Sequence, residues 1–190
     1  MGHHRLEAFI TGQLGRRPDN IDKVLPHFEQ RSCPRHTVLL NAGDPCHHIY
    51  FVVSGALQVF IYDTQGNECT WDIMAEDQWC TDITSLTTGN PATDCIRTIE
   101  RTELLCLHKD SYAQLMQEIP QFAAIYKQIL EASYLNSIYR VHSFISLNAL
   151  ERIQWLMQHR PALASRMPSK LLASYLGISQ ETFSRLRGKA

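Results

Sequence analysis

The chain lacks the residue spacings that most enzymes and metalloproteins depend on. Its six cysteines, Cys33, Cys46, Cys69, Cys80, Cys95 and Cys106, lie at wide intervals with no C-x-x-C pair. That removes the spacing that zinc and iron–sulfur sites use, and scattered thiols of this kind read as small core hydrophobes. The nine histidines form no H-E-x-x-H pattern, and the adjacent His47 and His48 would face opposite sides of a strand. No metal site is expected. Paired carboxylates, a nucleophile–base motif and a Gly-rich phosphate loop are all missing, so no enzymatic activity is expected. No apolar run reaches the ~20 residues of a membrane span, and no secretory signal opens the chain. The expected setting is the cytoplasm, with no membrane partner.

Basic charge is scarce through most of the sequence. Residues 1–159 hold 12 Lys/Arg against 18 Asp/Glu, a net −6. Residues 160–190 hold 6 Lys/Arg against one Glu, a net +5. An asymmetry of this size marks the C-terminal end as the part suited to a polyanion and keeps the remainder off it. The bulk composition, 44% hydrophobic and 19% charged over 190 residues, fits one large or two small globular domains.

The basic end carries the most informative pattern. Residues 169–188 read SKLLASYLGISQETFSRLRG. Leu172, Leu176, Ile178, Phe183 and Leu186 fall on one shared apolar centre for two short helices. Ala173 is small where the helices must cross, and Gly177 suits the left-handed exit from the first helix. The spacing predicts a helix-turn-helix, the unit that lays its second helix in a DNA major groove. Its outward side presents Gln180, Glu181, Thr182 and Arg185. Arg185 suits a bidentate contact to guanine, Glu181 a cytosine amino group, and Gln180 an adenine. Ser179, Thr182, Arg187 and Lys189 are assigned to phosphate. Ser169 is read as the cap of the first helix, leaving N–H groups for a phosphate.

Upstream the pattern changes twice. Residues 5–30 read as helical, with Leu6, Phe9, Ile10 and Leu14 as one stripe, a break near Pro18 and a second short helix through Leu25. From 31 to 108 short apolar runs alternate with turn residues: 37–40, 48–53, 56–62, 69–74, 95–99 and 103–107. Such spacing predicts an antiparallel sandwich or barrel, with Phe51, Val53, Leu57, Val59 and Ile61 alternating as in half-buried strands. From Lys109 the period is helical. Lys109 to Ile119 forms one helix capped by Asp110 or Ser111, and Pro120 opens a long helix to about Phe144. Its stripe of Phe122, Ile125, Ile129, Ala132, Leu135 (or Asn136) and Tyr139 fits a coiled-coil-like seam with a second copy. A helix from Ser146 to His159 and a connection from Pro161 to Pro168 complete the chain. The expected fold class is α+β, divided as 1–118, 119–145 and 146–190: an antiparallel β-roll with N-terminal helices, a long dimerisation helix and a helix-turn-helix domain.

This order resembles the cyclic-AMP receptor / fumarate-nitrate regulator (CRP/FNR) family of bacterial transcription factors. The resemblance rests on Gly43-Asp44, on Ile49-Tyr50-Phe51-Val52-Val53-Ser54-Gly55-Ala56-Leu57, and on Leu172 to Arg187. It implies a cyclic nucleotide-binding-like roll and a homodimer bound to a near-palindromic double-stranded DNA site, with contact to RNA polymerase. Members that bind a cyclic nucleotide carry Gly-Glu at the start of a short helix, for the ribose, then Arg-Ser or Arg-Thr, for the phosphate. Here Thr81 and Asp82 stand for the first pair, Ala92 and Thr93 for the second. A phosphate would lose its cation and gain the nearby Asp94, and a charge-assisted contact is worth ~1.5–3 kcal/mol. Control by cAMP in the usual manner is therefore not expected, although Arg97 or Arg101 remains as a substitute cation, and the effector is unassigned. The iron–sulfur and haem members of the family are matched no better. The first cysteine, Cys33, is followed only by the distant Cys46, and His108 and His142 are lone histidines, so no cofactor is expected. The family's wing after the recognition helix is not expected either, because only four residues follow Leu186. That feature favours the alternative to a regulator, a small-molecule-binding or protein-interaction module with a vestigial helix-turn-helix.

Overall fold

Residues with period-2 and period-3.6 patterns separate cleanly into a β-roll and a helical C-terminal part. The computed structural model describes residues 2–189. Helices α1 (Gly2–Leu14) and α2 (Ile21–Val24) and a 3-10 turn (Leu25–His27) lead into the roll. Its strands are β1 (Phe28–Cys33), β2 (Val38–Leu40), β3 (His48–Ser54), β4 (Leu57–Tyr62), β5 (Glu68–Met74), β6 (Trp79–Cys80), β7 (Cys95–Thr98) and β8 (Thr102–His108), with α3 (Ile83–Thr88) between β6 and β7. Then follow α4 (Lys109–Glu118), α5 (Pro120–Ser146), α6 (Ala149–His159), α7 (Pro161–Arg166), α8 (Ser169–Leu176) and α9 (Gln180–Arg187). No helix among the described residues is long and apolar enough to cross a membrane.

The strands form two four-stranded sheets, ordered β1-β8-β3-β6 and β2-β7-β4-β5. Ile49 to Val53 and Leu57 to Phe60 are buried without a break. The expected half-buried alternation is thus corrected: both faces of these strands are covered in their central stretch, and the outlier is Ile61, which is exposed. One face of β3 lies under α1, with the Phe9 ring 5.4 Å from Phe51 and 6.3 Å from Trp79. Gly55 makes the β3–β4 turn at φ +94°, and a Cβ there would sit 2.7 Å from the Arg101 carbonyl oxygen, so no other residue fits. Tyr50 pairs with Cys80 on one side and Cys106 on the other. Five of the six cysteines are buried, and Cys69 is exposed. Burial pushes the Cys106 thiol up to about 11, which keeps it protonated and inert.

Several boundaries differ from the sequence reading. Residues 28–30, placed in a helical segment, belong to edge strand β1 (Phe28–Cys33), which pairs with β8. Only its two ends are buried, so it has no apolar alternation to read. The short β6 carries too few residues for any periodicity. Helix α4 is capped by His108, whose Nδ1 accepts the Asp110 N–H at 3.3 Å, not by Asp110 or Ser111. Helix α6 starts at Ala149 because Asn148 forms a capping box with Glu151. The connection after Pro161 contains helix α7, with Pro161 in its first turn. Ser169 is the first helical residue of α8, and Pro168 occupies the cap position without a side-chain bond.

The described chain divides into two compact units. One runs to Ile61 and then from Ile73 to Glu131; the other holds Tyr62–Asp72 and the chain from Ala132 onward. The divisions between these units fall within the β4–β5 hairpin and within α5. In the first unit Phe122, Ile125 and Tyr126 of α5 are buried, the last 4.8 Å from the ring of Tyr112. Beyond them α5 has no glycine or proline to break it and leaves Leu130, Tyr134, Val141 and Ile145 exposed along one face, Ile145 at 79%. Of the expected stripe, Leu135 is exposed to the same degree as Tyr134, at 65%. Phe122 and Ile125 are used in the core, and Tyr139 packs on Trp155 at 5.3 Å.

Candidate functional site

The second unit is built around α8 and α9. Leu172, Ala173, Tyr175, Leu176 and Phe183 are buried, with Ile153 and Leu156 of α6 and Leu163 of α7 closing the same core. Ile178 and Leu186 are half-buried at its edge. Gly177 takes φ +64° and ends α8, as its place in the sequence required. Ser179 caps α9 by accepting the Thr182 N–H at 3.1 Å, and its hydroxyl donates to Thr182 Oγ1 at 3.0 Å. Glu181 lies in the first turn of α9, and Arg185 and Arg187 in the last, each sign at the favourable end of the helix dipole.

The face of α9 away from Phe183 presents Glu181, Ser184 and Arg185, and Gln180 opens the helix; all four are exposed, as is Lys189 just beyond it. Ser184 was not picked out from the sequence. Its position three residues after Glu181 is the helical signal that would have found it. Three residues assigned to phosphate have internal work. The Ser179 and Thr182 hydroxyls bond each other, and Arg187 Nη2 donates to the Ala164 carbonyl at 3.3 Å while its guanidinium lies 5.8 Å from the Phe183 ring. Arg187 is therefore tied to α7 rather than projecting freely.

The same unit fastens α8 to residues distant in sequence. The Thr70 N–H donates to Ser174 Oγ at 2.9 Å, and Ser174 Oγ donates to the Glu68 carbonyl at 3.5 Å. Arg160 Nη1 lies 3.5 Å from Asp72 Oδ1, both side chains 18% exposed, and donates to the Tyr175 hydroxyl at 3.1 Å. These partners carry no local sequence signal, because each pair is brought together only by the packing of the unit.

The four residues of the expected ligand pocket come together around a carboxylate that is already engaged. Asp82 is buried and caps α3, with Oδ1 accepting the Ser85 N–H at 2.9 Å. Its Oδ2 accepts the Thr93 N–H at 3.1 Å and the Asp94 N–H at 3.4 Å. Thr81 donates its hydroxyl to the His48 carbonyl at 2.9 Å. Ala92 is buried and bonds the Gly43-Asp44 turn in both directions: its N–H donates to the Asp44 carbonyl, and its carbonyl accepts the Gly43 N–H. Thr93 is exposed. Of the two substitute cations, Arg97 donates to Gln58 Oε1 at 2.9 Å and stacks 4.6 Å over the Phe60 ring, whereas Arg101 is exposed. Asp82 is thus spent on the backbone of its own segment, while Thr81 and Ala92 tie that segment to His48 and to the Gly43-Asp44 turn.

A β-roll of this topology followed by a helix-turn-helix defines a class, the transcription regulators that join a cyclic nucleotide-binding domain to a DNA reader. Residues 30–119 match the family model of the cyclic nucleotide-binding domain. The chain is 23% identical over 176 residues to the cyclic AMP receptor protein of Thermus thermophilus, covering 90% of this chain and 81% of the relative. It shares the fold of the c-di-GMP responsive global regulator CLP of Xanthomonas campestris, with 20% identity, TM-score 0.72, and 90% and 89% of the two chains covered. FixK2 of Bradyrhizobium japonicum superposes equally well, TM-score 0.72 at 16% identity over 85% and 83% of the two chains. On these likenesses the chain resembles the CRP/FNR family of transcription regulators, with a cyclic nucleotide-binding domain over residues 30–119.

Proposed function

We propose that the chain is a DNA-binding regulator that acts as a homodimer on a near-palindromic operator and is not controlled by cAMP in the usual manner. The observation that carries the reading is α9 itself: Phe183 anchors one face at 0% exposure while Glu181 and Arg185 stand exposed on the other, with Gln180 exposed at the start of the helix. A helix held that way presents base-reading side chains on a rigid support. Arg185 is assigned to guanine, Glu181 to a cytosine amino group and Gln180 to adenine. Lys189, and Ser169 with the first amides of α8, are assigned to phosphate; Ser179 and Thr182 serve chiefly to cap α9. The exposed stripe Leu130, Tyr134, Val141 and Ile145 is the face a second copy covers, and pairing sets two recognition helices against two half-sites. RNA polymerase is the further partner the family resemblance implies.

Independence from cAMP is supported by the chemistry of the pocket. A cyclic phosphate at Ala92 meets a methyl group where the family pattern has a guanidinium, and both oxygens of Asp82 already accept from backbone N–H groups. Selection on random duplex DNA with purified protein, with and without cAMP, tests both halves of the reading. Enrichment of a palindromic consensus, equal in the two arms, is the expected result. No enrichment at low salt removes the regulator in favour of an interaction module. Strong stimulation by cAMP removes the pocket argument and turns attention to Arg97 and Arg101. On the selected operator, Lys189→Ala is expected to weaken all sequences alike and to flatten the plot of log K against log salt by about 1 per chain. An unchanged slope takes Lys189 off the phosphate list.

A further inference from the structure

The C-terminal end of α8, which aims the recognition helix, is held by two arginines that lie outside the helix-turn-helix. Helices leave their last carbonyls without intrahelical partners. Here the last two of α8 accept charged donors: Arg140 Nη2 donates to the Tyr175 carbonyl at 3.2 Å, and Arg152 Nη1 to the Leu176 carbonyl at 3.1 Å. Cations at this end also complement the helix dipole. Arg152 uses its other nitrogens on the end of α5, with Nη2 to the Phe144 carbonyl and Nε to the Leu147 carbonyl, both at 3.0 Å.

Arg140 is placed differently. Its side chain extends from α5 with the guanidinium carbon over two rings, 4.1 Å from the Tyr175 centroid and 5.4 Å from that of Phe144. Tyr175 is buried, and Arg160 sits 5.8 Å from its ring. Phe144 in turn fills the space beside the turn, because a Cβ on Gly177 would come 2.5 Å from its Cε1. A planar guanidinium stacked on an aromatic ring fixes direction as well as distance, which an ammonium does not. The end of α5 and the turn that aims α9 are therefore keyed together through Arg140 and Tyr175.

We infer that Arg140 is a positioning residue for DNA recognition: stacked on Tyr175 and bonded to its carbonyl, it sets the angle of the recognition helix relative to α5, and thereby the half-site spacing that a pair of chains accepts. The inference rests on the proposed dimeric DNA binding. In that arrangement α5 is the element shared with the second copy, so its angle to each α9 determines how far apart the two recognition helices lie. Arg140 touches no DNA.

The test compares parent and Arg140→Gln on the selected operator, on the same operator with one base pair added or removed between the half-sites, and on a single half-site. The parent is expected to lose at least about tenfold in affinity when the spacing changes, the cost of one badly met base contact or more. Arg140→Gln is expected to bind the original operator more weakly while holding all spacings within about threefold, and to match the parent on the half-site. Equal weakening at every spacing shows a general loss of stability and overturns the inference, as does full retention of the parent's discrimination. Arg140→Lys, which keeps the charge but not the planar stack, is expected to behave like Arg140→Gln; it carries the same decision should the glutamine variant fail to give a cooperative melt. If the parent selects no operator, the proposed function fails on its own. The keying is then read without DNA: Arg140→Gln must raise amide exchange across Leu172–Phe183 but not across β3 and β8, and unchanged exchange there overturns it.

Discussion

Phe183→Ala is expected to destabilise the C-terminal unit more than any other single truncation in α9. The ring is fully buried between α8 and α6, and its loss removes apolar contact while leaving a cavity that short helices joined by tight turns collapse poorly around. Phe→Ala changes of this kind cost ~3–5 kcal/mol, against a typical domain stability of ~5–15 kcal/mol. Amide exchange in α8 and α9 is the measurement, and a rise of at least about a hundredfold is expected, since each 1.4 kcal/mol is a decade. Strands β3 and β8, in the other compact unit, provide the internal reference. Phe183→Leu should fall well short of this loss because most of the volume is kept. If Phe183→Ala leaves exchange in α8 and α9 unchanged, the ring is not what supports the recognition face.

Arg185→Ala has the second largest expected effect, and it acts on binding alone. Arg185 is exposed on α9, four residues after Glu181, so both point from the same side of the helix. An arginine there reaches guanine O6 and N7 with two parallel N–H groups, a contact that alanine cannot replace. The expected loss on the selected operator is ~1–3 kcal/mol, about 5- to 150-fold, with relaxed preference at one base pair of each half-site. Melting temperature should not move, since the side chain supports no part of the core. Equal affinity of variant and parent for the operator would remove Arg185 from base readout.

The C-terminal unit was legible in the sequence because its determinants are local. Leu172, Leu176 and Phe183 repeat at helical spacing, and Gly177 is the residue a sharp left-handed exit needs. The strands from 48 to 62 and from 95 to 108 were legible for the same reason, since apolar runs bounded by turn residues report on neighbours a few positions away. Edge strand β1 escaped because Glu29, Gln30, Arg31 and Ser32 face solvent, and only pairing with β8 makes them a strand. His108 was met as a lone histidine and serves as the cap of α4, a role visible only when the chain direction after β8 is known. Thr81, Asp82, Ala92 and Thr93 were singled out from the sequence by resemblance alone. That Asp82 spends its oxygens on Ser85, Thr93 and Asp94 required the backbone to fold around it.

By itself the sequence determined the order of the parts, the family they resemble, the basic character of the C-terminal end and the exposed face of α9. Hydrophobic period, turn glycines and charge act over a few residues, and a linear chain displays them. Only the tertiary structure decided which basic residues stay available to a partner. Arg160 is joined to Asp72 and Tyr175, Arg187 to Ala164, Arg152 to the ends of α5 and α8, and Arg140 to Tyr175. A guanidinium looks the same in sequence whether it will meet a phosphate, a carboxylate, a carbonyl or a ring. Which one it meets depends on groups brought within hydrogen-bond reach by packing, as far as 88 residues away for Arg160 and Asp72.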